Sequence, residues 1–372
     1  MSSDHYQRSW LDGCFDFMHF GHANAILQSR MTANTVKFTR FPYSQHKEVQ
    51  TDFIKLGNYE FFTAETLKAN LALVANGMPK NGIWVGLHSD QEIEKNKGSL
   101  PVMTLLERCY HVSHIRWVTS KGVVKDVPYV TELDHGVNDS LCEYVLHGDD
   151  LVSDAGGKDC YYNVRKENRF LIVKRTEGVS TTEIIQRILS KSYENRNDYE
   201  EYMDFVNDEN ELKLLEKLCL DENADKIYCS VFDKTFDNIL VKGECIEYNT
   251  DNTIYYNNPN RSFDMMNAGD IETLVKIKES SKKKLIVALN IGNEKCVNNF
   301  RERLFSLVCC SAVDGVIINP TNQNSLKLIK ITNDDCVIDR VFGYLTPRLI
   351  KERIISSKEV YEARNKKKLE SC

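Results

Sequence analysis

No stretch of this chain approaches the roughly eighteen consecutive apolar residues of a membrane span, so none is predicted. The N-terminal MSSDHYQRSW has no apolar core of signal-peptide length. Twelve cysteines are present, but they form no CxxC pair and no evenly spaced framework. That argues for reduced thiols in a cytosolic protein and against a structural zinc. Basic residues (48) do not outnumber acidic ones (54), and the net charge of −6 leaves no footprint for nucleic acid. A local basic pocket for a small anion remains open. No GxxxxGK[ST] loop, GxGxxG fingerprint or GxSxG elbow stands in its expected context. Finally, all nine histidines lie at or before residue 147, and none follows it.

What is present is an ordinary globular composition, 42% hydrophobic and 27% charged. A chain of 372 residues is too long for one typical core, so two domains are expected. In the first half, short apolar runs at 9–11, 83–87, 144–146 and 170–173 read as strands. Helical patterns at 21–30, 105–116 and 181–191 lie between them. Such alternation predicts an α/β fold with a doubly wound parallel sheet and ligands at the carboxyl ends of its strands. Residues 31–82 break the rhythm and are too long for an ordinary connection, so they read as a surface insertion or a partly disordered loop. The acidic, Asn- and Tyr-rich stretch 192–225 reads as a linker with one helix at 211–218.

The pattern then returns. CFDFMHFGHANAIL (14–27) aligns with SFDMMNAGDIETL (262–274), IWVGLHSDQEI (83–93) with LIVALNIGNEK (285–295), and LLERCYHVSHIRWV (105–118) with FRERLFSLVCCSAV (300–313). Three blocks in one order indicate two copies of a domain, the second heavily altered. Where the first copy has His19 and His22, the second has Asn267 and Asp270.

His19 and His22 stand three apart at a strand-to-helix junction, with Asp16 just before and with Gly13 and Gly21 allowing close approach. Such a pair can ligate zinc, be satisfied inside the fold, or meet a phosphate at a helix N-terminus. Zinc needs further ligands at suitable spacing, which are not evident. A helix N-terminus attracts anions, and imidazole N–H groups there would stabilise charge developing on phosphorus. The second copy's carboxylate favours chemistry over a core role. In RTEGVSTT (175–182), Ser180, Thr181 and Thr182 open an amphipathic helix, where hydroxyls normally cap. Arg175 and the free N–H groups would add a clamp for triphosphate oxygens. Lys97 lies on a loop freed by Gly98, and is either a phosphate lid or a solvated lysine. His147 and Asp149 end the third strand in HGDD, where a ligand would sit. Arg108 and Trp117 flank the same region, and Trp117 fits a core as well as a substrate wall.

HFGH with RTEGVSTT at this separation resembles the cytidylyltransferases of the HxGH nucleotidyltransferase superfamily. The tandem layout, with GLHSDQEIEKNKG, PYVTEL and YVLHGDDL, is similar to the ethanolamine-phosphate cytidylyltransferase family in its fungal form. The resemblance implies two tandem Rossmann-like domains: a catalytic one at 1–191, a linker at 192–225 and a degenerate copy at 226–372. It implies cytidylyl transfer from CTP to phosphoethanolamine, with Mg²⁺ accompanying CTP, and His19, His22, Lys97 and Arg175 as the catalytic set. Gly13, Cys14, Phe15, Asp16, Phe20, Gly21, His147, Gly148, Asp149 and Asp150 would hold the nucleotide, as would Thr176, Glu177, Gly178, Val179, Ser180, Thr181 and Thr182. Arg108, Trp117 and Tyr129 would face the second substrate. Tyr129 replaces the tryptophan of the choline-specific relatives, and their cage tyrosine falls at Val152, so the aromatic cage for a quaternary ammonium is missing. A cytoplasmic protein with peripheral contact at the endoplasmic reticulum, and with its two domains packed as a pseudo-dimer, is expected. Choline-specific or other HxGH enzymes, or an inactive CTP-binding regulator, remain the alternatives.

Overall fold

The computed structural model describes residues 4–43, 61–150, 152–244, 248–292, 295–321, 329–331 and 340–363. Two compact units appear. The first comprises Met1–Ser113, Trp117–Gly178 and Glu359–Cys372, and the second comprises His114–Arg116 and Val179–Lys358.

In the first unit the strands are β1 (Gln7–Gly13), β2 (Phe62–Thr63), β3 (Asn81–His88), β4 (Val118–Val127), β5 (Tyr144–Gly148) and β6 (Phe170–Val173). They form one sheet in the order β2-β4-β3-β1-β5-β6, every pairing parallel. Helices α1 (Phe20–Ala33), α2 (Ala64–Ala69), α3 (Leu71–Asn76), α4 (Asp90–Lys97), α5 (Leu105–Ser113) and α6 (Tyr162–Lys166) lie along the connections. β1 and β3 are buried on both faces, as central parallel strands are. From β1 the chain runs to the edge strand β2, fills in β3 and β4 on that side, then crosses to β5 on the other side of β1. That reversal places a crevice at the carboxyl ends of β1 and β5, where doubly wound sheets take their ligands. One face of the sheet is filled by Trp10, Trp84, Tyr129, Val137 and Tyr161. Gly86 is required there, since a Cβ would come within 2.4 Å of the Trp10 indole.

Residues 31–82 are not a surface insertion where the structure describes them. Residues 31–33 complete α1, and 61–82 supply β2, α2, α3 and the start of β3. Leu67, Leu73, Val74 and Met78 enter the core. Arg8 donates to the carbonyls of Met78 and Pro79, and the Tyr6 hydroxyl donates to Ala75 O at 2.7 Å. Residues 44–60 lie outside the described residues. The helix expected over 105–116 ends at Ser113. Arg116 belongs to the second unit and donates to the carbonyls of Val308, Cys310 and Val313.

The second unit contains α7 (Thr181–Ser190), α8 (Asp198–Asn207), α9 (Glu209–Leu218), β7 (Ser230–Asp233), β8 (Ile239–Val241), β9 (Thr253–Tyr256), α10 (Ala268–Ser281), β10 (Lys284–Leu289), α11 (Phe300–Cys309), β11 (Gly315–Ile318), β12 (Ile329–Ile331) and α12 (Pro347–Ser356). Its sheet runs β12-β9-β10-β11-β7-β8, parallel except between β7 and β8. β9, α10, β10, α11 and β11 therefore repeat β1, α1, β3, α5 and β4 of the first unit.

The stretch expected as a linker, 192–225, is structured and belongs to this unit, and the division falls after Gly178 rather than at 191. Asn197 and Asp208 cap α8 and α9 through their side-chain oxygens. Tyr202 and Phe205 are buried, the Tyr202 hydroxyl donates to Asp233 at 2.6 Å, and Phe205 meets Phe300 and Phe305 edge-on. Acidic side chains on the outer faces disguise two amphipathic helices. Phe205→Ala is expected to lower unfolding stability by about 3–5 kcal/mol in denaturant titrations. A free linker would lose less than about 0.5 kcal/mol.

Candidate active site

The site begins with the turn from β1 into α1. Gly13, at the end of β1, is followed by Cys14 and then by Phe15 and Phe17, both left-handed with φ of 48° and 50°. Non-glycine residues pay about 1–2 kcal/mol for that conformation, so something must hold it. Asp16 does: its carboxylate accepts the main-chain N–H groups of Val102 and Met103, both at 3.0 Å. Arg108 completes the clamp by donating to the carbonyls of Cys14, His88 and Met103 and to Asp90. Its guanidinium is buried and engaged on four sides, which corrects its reading as a substrate contact. Phe20 is fully buried, so it offers a ligand no side-chain surface.

His19 is the N-cap of α1, and its Nδ1 accepts the Gly21 N–H at 3.1 Å. In the neutral ring this leaves the proton on Nε2. His22 stacks on His19 with ring centroids 4.0 Å apart. Its Nδ1 is buried with no hydrogen-bond partner. Burial, with the charges of Lys97 and Arg175 nearby, pushes the His22 pKa down to about 4. Four residues from three segments thus converge: His19 and His22, Lys97 at the end of α4, and Arg175 after β6. Lys97 and Arg175 are exposed. Their segment ends are pinned, with Gly98 capping α4 at φ 77°, Asn24 donating to Thr176 Oγ1 at 2.9 Å, and Gln28 bonding the main chain of Lys174 both ways.

At the end of β5, His147 lies 4.7 Å from the Tyr161 ring, with Gly148 beside it and Asp149 and Asp150 exposed. Glu177 and Gly178 are exposed at the end of the first unit. Val179 is buried in the second, where Ser180 caps α7 through the Glu183 N–H, followed by Thr181 and Thr182. Trp117 is buried in the first unit. Tyr129 is buried too, its hydroxyl pushed up to about 12 by desolvation, and its N–H bonds Glu92.

Sequence reading missed Asp12. This carboxylate, 2% exposed, points from β1 onto the Trp10 face and accepts from Trp10 Nε1, Thr131 Oγ1 and the Tyr161 hydroxyl at 2.6–2.9 Å. A lone Asp inside a strand motif gives no signal, because two of its three partners lie 119 and 149 residues away. Among the described residues, no group of three or more His, Cys, Asp or Glu could hold a metal.

The second unit repeats the clamp. Phe263 and Met265 are left-handed (φ 55° and 48°), Asp264 accepts from Val297 and Asn298, and Arg303 donates to Ser262 O and Asn290 O. The helix mouth differs. Asn267 and Asp270 form a capping box, Arg261 pairs with Asp270, and the Phe342 and Leu345 carbonyls lie against Gly269.

A parallel sheet carrying two stacked histidines at the first helix mouth fits a nucleotidyltransferase, and a family model described as Cytidylyltransferase-like matches residues 68–187. Over 367 residues the chain is 35% identical to an ethanolamine-phosphate cytidylyltransferase of Saccharomyces cerevisiae, covering 96% of each chain. A mouse ethanolamine-phosphate cytidylyltransferase is 26% identical over 97% of this chain and 89% of its own. A choline-phosphate cytidylyltransferase of S. cerevisiae matches over 40% of this chain and 32% of its own, at 31% identity. The chain belongs to the ethanolamine-phosphate cytidylyltransferase family.

Because its folded pKa lies below the ordinary value of 6.5, His22 should stay neutral until about pH 4. The unfolded chain takes up that proton first, so stability falls as pH drops from 6.5 towards 4. Nitrogen-15 NMR of the imidazoles tests this, and a His22 midpoint near 6.5 would contradict it.

Proposed function

We propose that this chain transfers the cytidylyl group of CTP to phosphoethanolamine. A phosphate oxygen of phosphoethanolamine attacks the α-phosphorus in line, and the bond to the bridging β-phosphate oxygen breaks. CDP-ethanolamine forms and pyrophosphate leaves. No protein nucleophile is needed, so the residues act by positioning and by stabilising charge.

The observation that carries this reading is the stacked His19–His22 pair at the mouth of α1, beside Lys97 and Arg175. With His19 Nδ1 taken by Gly21, its Nε2–H is directed to donate. A neutral His22 offers a second donor. Both stabilise phosphoryl oxygens as charge builds in the transition state. Lys97 bridges the phosphates of the two substrates, and Arg175 takes the triphosphate. Gly13–Asp16 and His147–Asp150 border the nucleotide, and Ser180, Thr181 and Thr182 remain sequence-based candidates for it. Mg²⁺ would enter with CTP, held chiefly by phosphate oxygens, since the described residues offer no carboxylate cage.

Asp12, held by Trp10 and Tyr161, supplies an anionic, aromatic-walled seat for the ammonium end. End-to-end similarity to ethanolamine enzymes, against partial similarity to a choline enzyme, favours phosphoethanolamine. No helix among the described residues is long and apolar enough to cross a membrane. Peripheral contact with the endoplasmic reticulum, where the product would be used, is part of the proposal.

Pyrophosphate release from CTP with phosphoethanolamine is the direct assay, and its absence would overturn the reading. His19→Ala should lower kcat at least about 10²-fold. Asp270→Ala should leave kcat within about twofold, since it removes a helix cap costing about 1 kcal/mol in the other unit. Loss of turnover in a folded Asp270→Ala protein would show that the second copy takes part in the chemistry.

A further inference from the structure

The geometry around His88 assigns it a part in choosing the substrate: we propose that its Nε2 accepts an N–H from the primary ammonium of phosphoethanolamine, favouring that group over N-methylated analogues. This rests on the function proposed above and concerns the ammonium end of the same site.

His88 is the last residue of β3, at the carboxyl edge of the sheet. In register, Asp12 sits opposite Gly86, and side chains two apart share a face, so His88 and Asp12 lie on one face of neighbouring strands. The residue is only 4% exposed, and its ring lies 4.9 Å from that of Tyr129. Its main-chain oxygen is fixed by Arg108 at 2.8 Å. Nδ1 is 3.4 Å from Val127 O. A carbonyl can only accept, so Nδ1 carries the proton of the neutral ring and Nε2 carries the lone pair. Burial, with Lys97 and Arg108 nearby, pushes the ring down to about 4 against the pull of Asp12, which keeps that lone pair unprotonated.

Asp12 alone is a poor discriminator, because its charge attracts any ammonium and three donors already bind it. A neutral acceptor is different. A primary ammonium has three N–H groups to give, whereas a trimethylammonium has none and would press methyl groups against the lone pair. The imidazole therefore adds a contact that depends on the hydrogens and not on the charge.

The test is steady-state kinetics of the full chain with phosphoethanolamine, its N,N-dimethyl analogue and phosphocholine. His88→Leu removes the acceptor, and His88→Gln restores one through its amide oxygen. With His88→Leu, KM for phosphoethanolamine should rise about ten- to a hundredfold while KM for CTP stays within about twofold. The kcat/KM ratio of phosphoethanolamine to phosphocholine should fall at least about tenfold, with the dimethyl analogue between them and His88→Gln recovering part of the ratio. An unchanged ratio, or equal losses for CTP and phosphoethanolamine, would overturn the proposal. If His88→Leu does not fold, nitrogen-15 NMR of the wild-type protein decides. The His88 Nε2 resonance should move on adding phosphoethanolamine and stay in place with phosphocholine, and an unmoved resonance refutes the role. Absence of pyrophosphate from the wild-type protein would instead refute the proposed function, and this assignment with it.

Discussion

One buried carboxylate, Asp16, holds the turn on which the first unit depends. Two left-handed phenylalanines flank it, a conformation that L-residues leave when free to do so. Two charge-assisted hydrogen bonds to Val102 and Met103, each contributing about 1.5–3 kcal/mol, offset that strain. The same bonds tie the β1–α1 turn to the segment leading into α5, whose Arg108 grips Cys14 and His88. His19 therefore reaches its capping position with a fixed ring, and His22 stacks behind it one turn along. The ends of β1 and β3, carrying Asp12 and His88, are set by the same brace.

The second unit shows that the brace and the chemistry are separable. Asp264 repeats both bonds of Asp16, Arg303 repeats two of the three carbonyl bonds of Arg108, and the left-handed pair recurs at Phe263 and Met265. What changes is the helix mouth. The first copy has the stacked His19 and His22 there, whereas the second turns Asp270 back onto its own helix and pairs it with Arg261. A carboxylate in that position satisfies the helix N-terminus from within and repels a phosphate. The clamp is common to both copies, whereas the histidine pair stands in only one.

Much of this was legible in the sequence because it is local. Alternating apolar runs gave four of the six strands of the first sheet, β2 and β4 being missed, and HFGH marked a strand-to-helix junction. The internal repeat paired His22 with Asp270, which the structure places at equivalent helix mouths. The misreadings share a cause, namely long-range partners. Residues 31–82 looked like an insertion because α2 and α3 are only six residues each, and their role comes from packing beneath Trp10 and Trp84. The acidic stretch 192–225 looked like a linker because Tyr202 and Phe205 are few among many charges. Arg108 looked available until the three carbonyls around it were seen. Asp12 was passed over because two of its hydrogen-bond partners come from distant segments, and the contact of His88 with Val127 likewise crosses between strands.

If the function proposed above holds, the cradle with His19 and His22 takes a nucleoside triphosphate and the cradle capped by Asp270 does not. Calorimetric titration of the full chain with CTP measures this directly. One CTP bound per chain is the expected stoichiometry, reduced towards zero by His19→Ala with Arg175→Ala. Two CTP bound per chain, or one that survives that double substitution, would contradict it.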